Sequence, residues 1–112
     1  MVRIDCSRIT DWDSFHAVFA DAFGFPGFYG RNMNAWIDSM SYLDDPAAGM
    51  TAVHVEPGEC LTIQLDHVSR FAADQPDIFE ALIDCAAFVN WRRTSQDQSA
   101  LVALSYYRSL DG

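Results

Sequence analysis

Residues 25–38 read Phe25-Pro26-Gly27-Phe28-Tyr29-Gly30-Arg31-Asn32-Met33-Asn34-Ala35-Trp36-Ile37-Asp38, an aromatic, glycine-rich loop running straight into a helix. Gly24, Gly27 and Gly30 recur every third residue, but they follow a helix rather than a strand and no lysine comes after them. They therefore read as turn residues and not as a phosphate cradle. From Asn32 onward, Met33, Trp36, Ile37 and Met40 fall on one face of a helix, and Asn34, Asp38 and Ser41 on another. The second face is a polar ridge with one carboxylate. Glycines, aromatics and fixed polar groups thus converge on one loop-helix edge, which suits a binding surface and equally a sharp turn before a solvated helix.

Upstream of this edge, Val2, Ile4 and Cys6 alternate with Arg3 and Asp5, the period of a strand with one buried face. A helix follows, capped by Asp11 or Asp13, with Phe15, Val18, Phe19, Ala22 and Phe23 as its apolar stripe and Gly24 as its stop. Downstream, Asp44-Asp45-Pro46 breaks the second helix, and these adjacent acids are expected to be solvated. Two β-prone runs come next, 51–55 and 60–65, joined by Glu56-Pro57-Gly58-Glu59 as a hairpin turn. Asp74-Gln75-Pro76-Asp77 reads as a helix start capped by Asp74. Ile78, Leu82, Cys85, Ala86 and Val89 form that helix's stripe, and Arg92 and Arg93 suit its negative end. Leu101-Val102-Ala103-Leu104, apolar on both faces, reads as a central strand covered by helices. The order predicts a small α/β fold with a mostly parallel sheet of three strands, or four if 51–55 is one, flanked by helices.

Composition narrows the function. A chain of 112 residues, half hydrophobic and with eight Phe, is expected to form one domain over 1–112, with a core that needs neither metal nor disulfide. The net charge is −9 and every basic residue is Arg, which argues against nucleic acid or an anionic membrane as partner and for a cationic protein. Cys6, Cys60 and Cys85 are odd in number and widely spaced, so reduced, mostly buried thiols in a cytoplasmic protein are expected. The opening residues lack the apolar run of a signal peptide, and no stretch is apolar enough to span a bilayer. His16, His54 and His67 lack zinc-site spacing, no G-x-S-x-G elbow exists, and no local signature pairs a cysteine with a histidine. No enzyme, metal or cofactor is expected.

In its central segment the sequence resembles the barstar family of small intracellular ribonuclease inhibitors, whose pattern Pro-x-x-Tyr-Gly-x-Asn-x-x-Ala-x-x-Asp stands here as Pro26, Tyr29, Gly30, Asn32, Ala35 and Asp38. The resemblance implies a barstar-like fold, three parallel strands flanked by helices, and inhibition by plugging: loop and second helix enter a nuclease active site, where a helix carboxylate takes the place of a substrate phosphate. That carboxylate maps to Asp38. Phe28, Tyr29, Asn32, Asn34 and Ser41 fall on further contact positions, and Asp84 on the next predicted helix matches an additional acid. Asn34 stands where the founding inhibitor of that family has an acid, and Ile37 and Leu43 where it has tryptophans. These changes, with the hairpin expected near Pro57, point to a divergent branch with a retuned partner. The resulting expectation is a monomeric cytoplasmic immunity protein or antitoxin that binds a cationic nuclease toxin. The alternative is a barstar-fold interaction or regulatory module without a nuclease partner.

Overall fold

Alternating side chains build the sheet. In a computed structural model, which describes residues 1–108, β1 (Val2–Asp5), β2 (Leu61–Asp66) and β3 (Val102–Ser105) are parallel and lie in the order β1-β2-β3. Val2 and Ile4 pair with Ile63 and Leu65, and Leu61 and Ile63 with Val102 and Leu104, so one face of the sheet is uniformly apolar. The other face is polar: Arg3 reaches Asp66 at 3.5 Å, and Ser105 Oγ donates to Gln64 Oε1 at 2.9 Å. With one face open to solvent, all apolar packing goes to the same side. There α1 (Trp12–Phe23), α2 (Met33–Met40), α3 (Val68–Asp74) and α4 (Pro76–Thr94) join the strands in one core. This is the α/β architecture with a three-stranded parallel sheet that the element order implied.

The caps of α1 follow the sequence. Asp11 accepts from Ser14 N at 2.7 Å while Ser14 Oγ accepts from Asp11 N at 3.0 Å, a reciprocal box at the start of α1. Gly24 ends α1 in the left-handed region at φ 65°, and a Cβ there would lie 2.5 Å from Ala52 Cβ. That close approach explains the first departure. Residues 51–55 form no strand and no hairpin with β2; Ala52 N donates to Phe23 O at 2.8 Å and Val55 N to Leu43 O at 3.0 Å, so the run is a strap across the ends of the first two helices. Pro57 and Gly58 make only a turn, closed by Glu59 N to Glu56 O at 3.0 Å.

Three further expectations are corrected. The central strand is β2, not β3: Ala103 is exposed and Leu104 half-buried, so the closing apolar run lies at a sheet edge whose outer face meets water. Asp74 does not cap α4. It ends α3, which has Val68, Phe71 and Ala72 as a buried i, i+3, i+4 stripe, and it pairs with Arg70 at 3.2 Å, while Gln75 joins the two helices ahead of Pro76. Of the thiols only Cys6 is buried; Cys85 is half-buried, and Cys60, just ahead of β2, is exposed.

Asn90 fastens α4 to the sheet. Its Oδ1 accepts from Leu101 N at 2.9 Å and Val102 N at 3.0 Å, and its Nδ2 donates to Val102 O at 2.7 Å, so one amide satisfies three backbone groups where β3 begins. Buried backbone groups left unpaired cost about 1–3 kcal/mol each. Asn90→Ala is therefore expected to lower the unfolding free energy by at least about 2 kcal/mol in urea titrations. A loss below about 0.5 kcal/mol, the range of an ordinary surface change, would contradict this role.

Candidate functional site

The loop before α2 is tied down at two points on α1. Tyr29 N donates to Pro26 O at 2.9 Å, which turns the Tyr29 ring inward, and its hydroxyl lies 2.6 Å from His16 Nδ1. His16 is buried, with Trp12 stacked on it at 6.0 Å and Phe15 edge-on at 5.1 Å. Burial, and then the charge of Arg31, lower the His16 pKa, while Asp13 opposes them. Burial pushes the Tyr29 phenol up. Both groups are thus neutral near pH 7, and with the imidazole proton on Nε2 the phenol donates to Nδ1. The second tie is Arg31, left-handed at φ 53°, whose Nη2 donates to Asp13 O at 3.0 Å and Oδ1 at 2.9 Å. Between these ties Phe28 points outward and is 75% exposed.

Asn32 then starts α2. Its Oδ1 accepts from Ala35 N at 2.8 Å and its Nδ2 donates to Gly30 O at 3.2 Å, so the side chain is committed to the cap and the turn. With Trp36 and Met40 wholly buried, the helical rotation of about 100° per residue puts Asn34 and Asp38 on the outside, where both are exposed. Among the described residues Asp38 has no hydrogen-bond or ion-pair partner. Ser41 closes the ridge half-buried; its Oγ donates to Ile37 O at 2.6 Å and accepts from Arg92 Nη2 at 2.8 Å. Asp84 is exposed on α4, the helix that packs against α2.

Phe28, Asn32, Asn34 and Asp38 thus run along one loop-helix edge. Ser41 is bound to Arg92, Tyr29 is turned toward α1, and Asp84 stands on the neighbouring helix. Leu43 is fully buried and Ile37 half-buried, so neither offers an exposed side chain of the kind the resemblance assigns to those positions. Asp44, expected to be solvated, instead meets Arg93 in two hydrogen bonds of 2.6 and 3.3 Å, with the two side chains 16% and 18% exposed. A partner 49 residues away in sequence leaves no local signal at an Asp-Asp-Pro break. His16, Arg31 and Arg92 hold the edge in place, roles that their local sequence does not indicate; for His16 the one local signal is its place beside Phe15 in an otherwise apolar helical stripe. Burial raises the pKa of every cysteine, that of Cys6 to about 12 with Asp5 and Asp66 adding to the effect, so all three thiols stay protonated and unactivated at neutral pH.

Comparison with known proteins adds one finding. The family described as Barstar (barnase inhibitor) matches residues 1–103. No curated protein matches the sequence.

The His16–Tyr29 bond makes stability depend on pH. Folded His16 holds a proton less readily than unfolded His16, so its contribution is complete above the ordinary value of 6.5 and is lost as pH falls below it toward the lowered folded value. Urea midpoints measured between pH 7.5 and 5 should therefore fall more steeply for the wild-type chain than for His16→Gln. Equal slopes would contradict the assignment.

Proposed function

The chain belongs to the barstar family, whose members act as ribonuclease inhibitors, and from that premise we propose that it is an immunity protein against a cationic ribonuclease toxin. The observation that carries this reading is Asp38, an exposed carboxylate with no internal partner among the described residues, on the outer face of a helix whose inner face is locked in the core. A ribonuclease active site holds an RNA phosphate with basic side chains. A carboxylate fixed on a rigid helix presents the same charge and can accept paired N–H donors. The site is then blocked by a group that offers no scissile bond. Phe28 packs at the loop end of the edge, and Asn32, Asn34 and Ser41 supply polar contacts around Asp38, with Asp84 adding charge from α4. Tyr29 contributes by holding the loop.

The remaining acids steer a basic partner and repel RNA, because a net charge of −9 favours encounter with cations. Three free thiols suit the reducing cytoplasm, where a producing cell must meet its own toxin before export. The chain acts as one barstar-like unit over 1–112, as a monomer in a one-to-one complex. Asn34, Ile37 and Leu43 retune the choice of nuclease away from barnase itself.

The test is RNA cleavage by a panel of basic secreted ribonucleases. An equimolar amount of the chain should suppress cleavage, and Asp38→Ala should weaken inhibition by about a hundredfold or more, because the enzyme's desolvated cations lose their counter-charge. Inhibition should also weaken as salt rises from about 0.05 to 0.5 M, since these ionic strengths shorten the screening length below the reach of the surface charges. Unchanged cleavage, or full inhibition by Asp38→Ala, would overturn this function.

A further inference from the structure

Phe88 and Trp91 stand on the solvent side of α4, 41% and 63% exposed, with their rings stacked at 6.0 Å. The core takes the opposite side of that helix, through Ile78, Leu82, Ala86 and Val89. Arg92 ties the aromatic pair to α2: its guanidinium lies 5.5 Å over the Phe88 ring while Nη2 bonds Ser41 Oγ. Arg93, next in sequence, holds Asp44 just beyond the end of α2. By helical periodicity, Asp84, Phe88 and Arg92 follow one another at i, i+4 and i+8 along α4, and Asn34, Asp38 and Ser41 at i, i+4 and i+7 along α2 and its C-cap. The Asp38 ridge and the aromatic pair are therefore parts of one rigid two-helix surface.

We propose that the nuclease is gripped across both helices, with Phe88 and Trp91 as the aromatic anchors and specificity determinants of the surface whose central charge is Asp38; this rests on the inhibitor reading. Interfaces concentrate their binding energy in buried aromatic anchors; α2 itself exposes none, because Trp36 is wholly in the core, and the exposed Phe28 and Tyr42 stand beyond its two ends, so the α4 side of the surface needs anchors of its own. The stacked pair fills that need, and the neighbouring contacts of Arg92 already order it, so little side-chain freedom is lost on binding.

Charge identifies the occupant. Both arginines of this surface are engaged internally, while Asp38, Asp77, Glu80 and Asp84 are exposed and have no ion-pair partner among the described residues. A second copy of a chain with net charge −9 would set like charges face to face, whereas a basic nuclease complements them. Aromatic faces edged by carboxylates accept lysine or arginine side chains, here from the rim of the nuclease outside its catalytic cleft.

The experiment compares Phe88→Ala, Trp91→Ala and Asp38→Ala as inhibitors of the basic ribonuclease that the wild-type chain inhibits most strongly, with urea midpoints as a check on folding. Each aromatic variant should bind about tenfold or more weakly, chiefly through faster dissociation, with an unchanged midpoint. In a Trp12→Phe background, where Trp36 is already wholly buried, complex formation should also shift the tryptophan emission to the blue, and Trp91→Phe should abolish that shift. If both aromatic variants inhibit within about twofold of wild type and the emission does not move, while Asp38→Ala fails, this proposal falls and the inhibitor reading stands. If Asp38→Ala inhibits fully, the inhibitor reading falls and takes this proposal with it.

Discussion

The burial of Trp36 constrains everything at the candidate edge. Its ring lies edge-on to Phe19 at 5.7 Å and is wholly excluded from solvent, in a helix of only eight residues. Once that ring is inside, a residue two positions on lies about 200° around the helix axis, so Asp38 has to face outward. Among the described residues Trp36 Nε1 has no hydrogen-bond partner. An orphaned donor costs about 1–3 kcal/mol. Removing some 200 Å² of indole from water contributes about 5 kcal/mol, so hydrophobic burial wins over the lost bond.

The one-sided sheet explains why so short a helix can be held so firmly. Because only one face of the three parallel strands is apolar, all four helices share a single core, and α2 is wedged between α4 and the aromatic stripe of α1. Polar ties then fix what packing alone leaves free to slide. The loop before α2 is fastened to α1 through Tyr29–His16 and Arg31–Asp13, and its far end to α4 through Ser41–Arg92 and Asp44–Arg93. These ties spend Tyr29, Arg31, Ser41 and Asp44 on internal bonds and, among the described residues, leave the side chains of Asn34 and Asp38 without one. A carboxylate held this way loses little freedom when it meets cations, which is what a plug for a phosphate site requires.

Much of this was legible in the sequence because it depends on neighbours in the chain. The stripe of α1, the stop at Gly24, Pro76 in the first turn of α4 and the alternation of β2 are local patterns, and each appears where the residues indicate. The facing of Asn34 and Asp38 followed from the same periodicity. What escaped depends on distant partners. Residues 51–55 look β-prone, but their backbone groups go to Phe23 and Leu43 instead of a strand. The closing run 101–104 looks central, but no further strand pairs beyond it among the described residues. The short helix α3 was hidden because Asp74, its last residue, mimics the cap of the next one. Asp44 and Arg93, nearly fifty residues apart, gave no sign of meeting.

The proposed inhibition is tested most directly by where the Asp38 carboxylate goes. A crystal structure of the chain bound to the basic ribonuclease it inhibits would show this. The account predicts the Asp38 oxygens within hydrogen-bonding distance of basic side chains in the nuclease cleft, at the position an RNA phosphate occupies. A complex in which Asp38 remains in solvent while another surface of the chain covers the nuclease would contradict it.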